Sequence, residues 1–409
     1  MESSERFNTN TLLYKILDIT YLDEAGKIKD ELKHNINIPD LKIQNSKFIG
    51  KPEDKFETLL FLPPNPQRIA EGGLRTKGLF KFSYKKVRSE QLEVRGDEAE
   101  DNGDVWYICD LEGNPAIPAP KELQEKINEY SSHVSPLTPH TSPLTSHFLP
   151  LITVITVVYN GAKHLEETIK SVLNQTYPNV EYIIIDGGST DGTLDIIKKY
   201  EDKIDYWVSE PDEGIYDAMN KGIIVALGNC YAFLGSDDVL LSDWMKEAFG
   251  FLSSSSNANN AYIYGNIIFQ VGGKEIPYRY RLVKKSELLK EFVIPHSGSI
   301  ISAKLFRSGG LYEKKYKIIG DHAWVVKVHD LIHLAYIDFF QCKMKLGGTS
   351  NNPKTVKKIL DELKIMEKEH SIRINLSFKF KKYLALIASY LGAYEKLQVV
   401  WWLMRRIRR

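Results

Sequence analysis

The chain has 409 residues, 43% of them apolar and 26% charged, with a formal net charge of +1. That composition is globular and the length suits two domains, or one large domain with appendages; the near-zero charge leaves no whole-chain case for nucleic-acid binding. Three scattered cysteines, Cys109, Cys230 and Cys342, form neither a CxxC pair nor a disulfide framework, and read as buried thiols in a reducing compartment. The N-terminal run MESSERFNTN lacks an apolar secretory core, and no apolar run reaches the about 20 residues of a membrane span. The expectation is a cytoplasmic protein.

In chain order, residues 1–86 read as an N-terminal extension of unknown role, with strand-like runs such as ETLLFL interrupted by PPNP. Residues 87–150 read as a flexible linker or insertion. They open on the charged run EVRGDEAEDNGD and close on SSHVSPLTPHTSPLTSHFLP, which is too rich in Ser, Thr and Pro to bury a core. Inside them, VWYICDLEGNP suits a short strand and KELQEKINEY a short helix.

The next stretch alternates regularly. LITVITVVYN is a β-branched run predicting a buried strand. HLEETIKSVLNQ puts Leu165, Ile169, Val172 and Leu173 on one helical face. VEYIIIDGG, IDYWVSE and CYAFLGSDD predict three more strands, with TLDIIKKY and IYDAMNKGIIVA as helices between them. Strands alternating with helices imply a parallel sheet, whose ligands bind beyond the carboxyl ends of the strands. Polar and glycine residues collect at those ends: Tyr159-Asn160, Asp186-Gly187-Gly188, Ser209-Glu210-Pro211 and Ser236-Asp237-Asp238.

Asp237 and Asp238, beyond an apolar strand and Gly235, can ligate a hard divalent cation, Mn²⁺ or Mg²⁺, that shares its shell with phosphates. The bland alternative is that Asp238 caps the helix expected in VLLSDWMKEAF. In IIIDGGSTDGT, Asp186 faces the ligand edge and can accept a hydrogen bond from a base N–H, while Gly187 and Gly188 allow close backbone approach. Thr190 or Asp191 can instead cap the next helix. In SEPDEGIYDAMNKGI, Asp217 and Lys221 stand four apart on a helix; they either pair with each other or bring Lys221 or Asn220 to a diphosphate.

ITVVYN, IIIDGGSTDGT, SEPDEGIYDAMNKGI, FLGSDD, IPHSGSIIS, GDHAWVVKV and GGTS, in that order, resemble the family 2 glycosyltransferases of bacterial O-antigen and exopolysaccharide synthesis. The resemblance covers residues 151–350. It implies an α/β fold of GT-A type, a mostly parallel sheet flanked by helices. An N-terminal extension and a C-terminal helical tail would be attached to it. EGGLRTKG also resembles a stretch that lies much closer to the first strand in some relatives; here about seventy residues intervene.

The resemblance further implies an inverting transfer from a nucleotide-sugar donor, UDP by default, to a saccharide or an undecaprenyl-diphosphate-linked acceptor. Asp321 matches the general base, with His322 beside it where relatives often carry another acid or an aromatic. Helix capping is the alternative for Asp321, and an outward-facing ring for His322. His296 matches a position near the acceptor or diphosphate. Thr156, Val158 and Asn160 border the nucleobase and ribose, Val158 replacing a common proline. Asp186, Gly188, Ser189, Asp217, Lys221, Ser236 and Asp237 complete the expected donor site, and Asp237 with Asp238 the metal site. Gly347-Gly348-Thr349-Ser350 resembles a loop that closes over the donor.

Residues 351–409 read as a basic amphipathic helical tail. From Pro353 onward fourteen Lys and Arg face five Asp and Glu, a net +9. Trp401 and Trp402 precede a basic end, a pattern that suits either the inner face of the plasma membrane or packing on protein. Two other classes compete with the leading reading. A sugar nucleotidyltransferase would carry a glycine- and basic-rich loop that YNGAKHLEETI lacks. A non-catalytic glycan- or nucleotide-binding module would not need Asp186, Asp237, Asp238 and Asp321 together. A dinucleotide oxidoreductase fits least, because no GxGxxG follows the first strand.

Overall fold

The computed structural model describes residues 43–44, 47–48, 54–77, 80–87, 104–109, 113–119, 123–128, 148–254, 260–345 and 355–375. Strands β1 (Ile43–Gln44), β2 (Lys47–Phe48) and β3 (Thr58–Leu59) form a small antiparallel sheet. Next come β4 (Ala70–Gly72), β5 (Tyr84–Val87), β6 (Val105–Cys109), β7 (Pro115–Pro118) and β8 (Phe148–Leu149).

The regular core begins with β9 (Ile152–Val158), α1 (Leu165–Leu173), β10 (Val180–Asp186), α2 (Thr193–Lys199), β11 (Tyr206–Ser209), α3 (Ile215–Val225) and β12 (Cys230–Gly235). The four strands are mutually parallel, in the order β12-β9-β10-β11. Every residue of β9, β10 and β11 is buried, as the unbroken β-branched runs require when helices cover both faces. Alternate residues feed two cores: Val154 and Ile184 join one cluster, Ile155, Ile183 and Ile185 the other. Each fully buried Val or Ile stabilises the fold by about 1.5–3 kcal/mol.

The chain then adds β13 (Val239–Leu240), α4 (Trp244–Ser254), β14 (Ala261–Val271), β15 (Lys274–Tyr278), α5 (Lys285–Leu288) and β16 (Ile300–Ser302). Helices α6 (Ala303–Gly309) and α7 (Gly320–Val328), strand β17 (His333–Lys345) and helix α8 (Val356–Glu369) follow. The large sheet runs β13-β17-β14-β16-β12-β9-β10-β11-β4, with β15 on β14. Because β10 and β12 flank β9, the strand order reverses there and leaves a crevice at the carboxyl ends.

Three of these readings gain detail. First, within the extension before residue 86, β4 joins the main sheet by pairing antiparallel with β11. A Cβ on Gly72 would stand 2.8 Å from the Trp207 indole, so only glycine fits that pairing. Arg75 is buried with Glu181 at 2.5 Å and donates to the carbonyls of Leu60 and Val225; Lys81 reaches Asp205 at 3.0 Å. Second, of the two readings of residues 87–150, linker or insertion, the described part fits an insertion. In the sheet β7-β6-β5-β8, Trp106 and Ile108 pack with Leu123 and Ile127, so the described part is a folded insertion, and the boundary at 86 falls inside β5. The Ser/Thr/Pro-rich stretch before residue 148 lies outside the described residues. Third, Asp238 caps no helix: it ends a turn that leads into β13, and α4 starts only at Trp244.

All three cysteines are buried thiols outside any disulfide among the described residues. Among the described residues no helix is long and apolar enough to cross a membrane. The loop at Gly347–Ser350 and the Trp-containing end of the tail lie outside the described residues.

Candidate active site

The carboxyl ends of β9 and β10 are tied together by main-chain and side-chain bonds. Asp186 is fully buried. Its carboxylate accepts bonds from the Ser189 backbone N–H (3.1 Å), the Ser189 hydroxyl and the Ser209 hydroxyl (2.6 Å). Asn160, in the left-handed region at φ 50°, donates its N–H to Ser189 Oγ and accepts the Thr190 N–H. Asn and Asp tolerate that conformation better than other non-glycine residues. Gly188 needs its own positive φ of 82°. Asp191 does hold the start of α2, accepting the Thr193 N–H and hydroxyl.

Of the residues expected to border the nucleoside, Val158 and Asn160 stand at the strand end, but Thr156 does not. Thr156 is fully buried inside the sheet, and its hydroxyl accepts the Tyr182 hydroxyl at 3.2 Å. It shares a face with Val158 but lies two residues further inside the strand, where Tyr182 of β10 covers it.

Asp237 and Asp238 converge over the end of β12. A Cβ on Gly235 would lie 2.9 Å from Asp238 Oδ2 and 3.2 Å from Asp237 Oδ1, so the glycine makes room for both carboxylates. Asp238 is 5% exposed and accepts the Ser297 hydroxyl at 2.6 Å. Burial and the neighbouring Asp237 push its carboxyl up to about 7. A buried acid repelled by a second acid lacks positive charge, and the donor set is hard oxygen. Among the described residues no group of three or more His, Cys, Asp or Glu is placed to hold a metal ion by itself. Two carboxylates with open remaining positions fit Mg²⁺ or Mn²⁺ shared with phosphates. Ser236 sits in the same turn, its carbonyl accepting the Thr168 hydroxyl.

Two groups beside this turn were not singled out from sequence. Lys345, at the end of β17, places Nζ 2.8 Å from His164 Nδ1. Burial and Lys345 lower the His164 pKa, whereas Asp237 opposes that shift. No local pattern joins residues so far apart in the chain; the β13–β17 pairing brings them together.

Asp321 lies in the first turn of α7, partly exposed, and is not its N-cap residue, which is Ile319. Its Oδ1 is 2.9 Å from the Tyr216 hydroxyl, which also approaches the Ile318 carbonyl at 2.9 Å. A Cβ on Gly320 would meet the Tyr216 ring at 2.7 Å, so Gly320 lets this contact form. Burial drives the Tyr216 hydroxyl well above its usual range, so it stays a hydrogen-bond donor. His296 Nε2 pairs with the Tyr312 hydroxyl at 2.9 Å, and its ring stacks on Phe233 at 5.0 Å. Burial lowers the His296 pKa and Asp321 opposes that shift.

A continuous path of contacts therefore joins the acid turn to Asp321. It runs from Asp238 to Ser297, through the adjacent His296 to Tyr312, on to the Tyr216 ring at 5.4 Å, and so to Asp321. His322 is outside it. It lies on no outer face: it is 6% exposed, edge-on to Phe292 at 3.9 Å, and burial pushes its pKa down to about 3.

Lys221 and Asp217 are not chiefly each other's partners. Lys221 Nζ stands 2.8 Å from Glu210 and 2.9 Å from the Pro211 carbonyl, but 4.0 Å from Asp217. Asp217 instead accepts the Glu213 N–H and faces Lys314 at 3.3 Å. Asn220 pairs twice with the Tyr312 backbone.

Residues 153–310 match the sequence model described as glycosyl transferase family 2. A protein of Mycobacterium tuberculosis (strain H37Rv), called an uncharacterized glycosyltransferase, is 33% identical over 207 residues, which is 49% of this chain and 77% of that one. A putative teichuronic acid biosynthesis glycosyltransferase, TuaG, of Bacillus subtilis (strain 168) is 41% identical over 112 residues, covering 26% of this chain and 44% of that one. The crystal structure of S. aureus TarS 1–349 in complex with UDP-GlcNAc aligns with a TM-score of 0.45 at 17% identity, over 59% of this chain and 73% of that chain. The chain belongs to glycosyltransferase family 2. Asp321 and the whole N-terminal segment lie outside the matched stretch.

Proposed function

We propose that the chain is an inverting glycosyltransferase that moves a hexose or N-acetylhexosamine from a nucleotide sugar, by default a UDP-sugar, to an acceptor hydroxyl. The acceptor class is a saccharide or an undecaprenyl-diphosphate-linked saccharide of the cell surface, in line with the relative named for teichuronic acid biosynthesis. The observation that carries the reading is the contact path from the Asp237–Asp238 turn through Ser297, His296, Tyr312 and Tyr216 to Asp321.

In one displacement the acceptor oxygen forms a bond to the anomeric carbon as the bond from that carbon to the diphosphate oxygen breaks. Asp321 takes the hydroxyl proton and the nucleoside diphosphate leaves. Tyr216 holds Asp321 through Oδ1, which leaves Oδ2 to face the acceptor. Neutral His296 and Tyr312 line the space between the two acidic ends. Asp186 accepts from the base, with Gly188, Ser189 and Asn160 shaping the loop around it; Asp237 and Asp238 hold the divalent cation. That cation supplies positive charge against the departing diphosphate. Lys221, fixed by Glu210, stands at the loop after β11 and steadies that side of the donor site. Asp217, at the same helix start, braces this loop through Glu213.

Calorimetric titration of UDP-, GDP- and dTDP-sugars, with and without Mn²⁺, tests the donor half. Metal-dependent binding of one nucleotide, lost in Asp238→Ala, is expected; folded protein that binds none of them overturns the reading. Asp321→Asn should keep donor binding and lose on the order of 10²–10⁴ in turnover. Attachment of the basic tail to anionic vesicles is a separate proposal, supported by the +9 charge and Trp401-Trp402. An unchanged bound fraction after deletion of residues 371–409 would remove it.

A further inference from the structure

The N-terminal segment brings one side chain to the ligand edge that none of the motif positions supplies. Ile69 directly precedes β4, and its N–H donates to the Ser209 carbonyl at 2.8 Å. Because β4 runs antiparallel to β11 with Ala70 opposite Ser209, Ile69 lies just past the carboxyl end of β11. Ile69 Cδ1 is 3.5 Å from the place a Cβ on Gly188 would occupy, and Pro211 N is equally close. At Gly187 the side chain nearest the corresponding point is the Asp212 carboxylate, and Tyr159 Cδ2 is 3.4 Å from it. Ile69 is 54% exposed and Tyr159 67% exposed.

Single exposed apolar residues need no explanation. These two flank Gly187 and Gly188, next to the buried carboxylate of Asp186. The segment that carries Ile69 is also fastened on every side. Arg68 binds Glu210 at 2.8 Å, Glu71 at 2.7 Å and the Pro63 carbonyl at 2.7 Å. The Tyr206 hydroxyl donates to Glu71 at 2.5 Å. With its donors directed at these acceptors, Arg68 serves to hold the strand. Ile69 is thereby presented in a fixed position, as a wall rather than a flap.

We propose that the segment ending in β4 is part of the donor site, with Ile69 and Tyr159 forming two apolar walls, astride Gly187–Gly188, for the nucleobase of a nucleoside diphosphate. This rests on the donor reading above. A flat base between the walls covers apolar surface on both, while Asp186 accepts from its edge. The phosphates lie away from Ile69, toward the Asp237–Asp238 turn.

The test uses the full chain, titrated calorimetrically with UDP and separately with inorganic pyrophosphate, each with Mn²⁺. Ile69→Ser should weaken UDP binding about five-fold, from the apolar area that stays wet. Ile69→Leu should bind UDP within about two-fold of wild type, since it keeps that area. Pyrophosphate binding should be the same in all three, and it also checks that Ile69→Ser is folded. Wild-type UDP affinity in Ile69→Ser overturns the inference, as does an equal loss for UDP and pyrophosphate. Wild-type protein that binds pyrophosphate but no nucleoside diphosphate overturns the donor reading and this inference with it.

Discussion

Asp186 and Asp238 end neighbouring stretches of one sheet, on either side of β9, and both are buried, yet they are surrounded differently. Asp186 is met by two serine hydroxyls and a backbone N–H. Asp238 has the Ser297 hydroxyl but is pressed by Asp237, and its carboxyl rises to about 7. The first is a hydrogen-bonded acceptor, suited to a neutral donor such as a base N–H. The second lacks positive charge and is suited to a cation. One cleft thus carries a neutral-recognition end and an ionic end, and the protein completes only the former by itself.

The sharpest way to break this contrast is Asp238→Asn. Loss of the cation should lower turnover by at least about 100-fold, and Mn²⁺ should no longer strengthen nucleotide binding. In metal-free buffer at pH 8 the same variant should melt higher than wild type, since it removes a buried repelled charge. A lower metal-free melting temperature would mean that Asp238 is satisfied like Asp186. Asp186→Asn should do the opposite, costing about 1–3 kcal/mol in urea unfolding because an amide N–H₂ would face donors. Stability equal to wild type would show that the serine donors do not determine that end.

His322 is a control for burial away from the contact path. Burial holds its ring neutral down to about 3. The unfolded chain takes up that proton near pH 6.5, so the stability this ring contributes is present above pH 6.5 and is lost as pH falls toward 3. His322→Met should flatten this acid loss by up to about 1.4 kcal/mol per pH unit, read as the change in unfolding free energy between pH 6.5 and 4.5. An unchanged slope would mean the ring is not the group responsible. The smallest expected effect is Ser209→Ala, about 1 kcal/mol with or without Mn²⁺. A loss that Mn²⁺ restores would tie the two ends of the cleft together.

Much of the parallel core was legible because its strands are continuous β-branched runs and its helices carry one apolar face. Those periods dictate burial locally, so the strand ends and the acids on them follow. Thr156 is covered because it lies two positions inside the strand end, which the motif by itself does not show. His322 stood next to the expected base in sequence, but successive helix residues diverge by about 100° and its ring is in the core. Tyr216, Ser297 and Lys345 carried no signal, since each meets its partner only through packing of distant elements.

The sequence by itself determined the family, the parallel sheet and three of its edge carboxylates, through local periodicity and short ordered motifs. Only the tertiary structure decided that the N-terminal segment is an edge strand of the same sheet. Neither the pairing of β4 with β11 nor the buried ion pairs Arg75–Glu181 and Lys81–Asp205 leave a local pattern. They join residues more than a hundred positions apart, and long-range pairing depends on complementary surfaces that form only when the chain closes on itself.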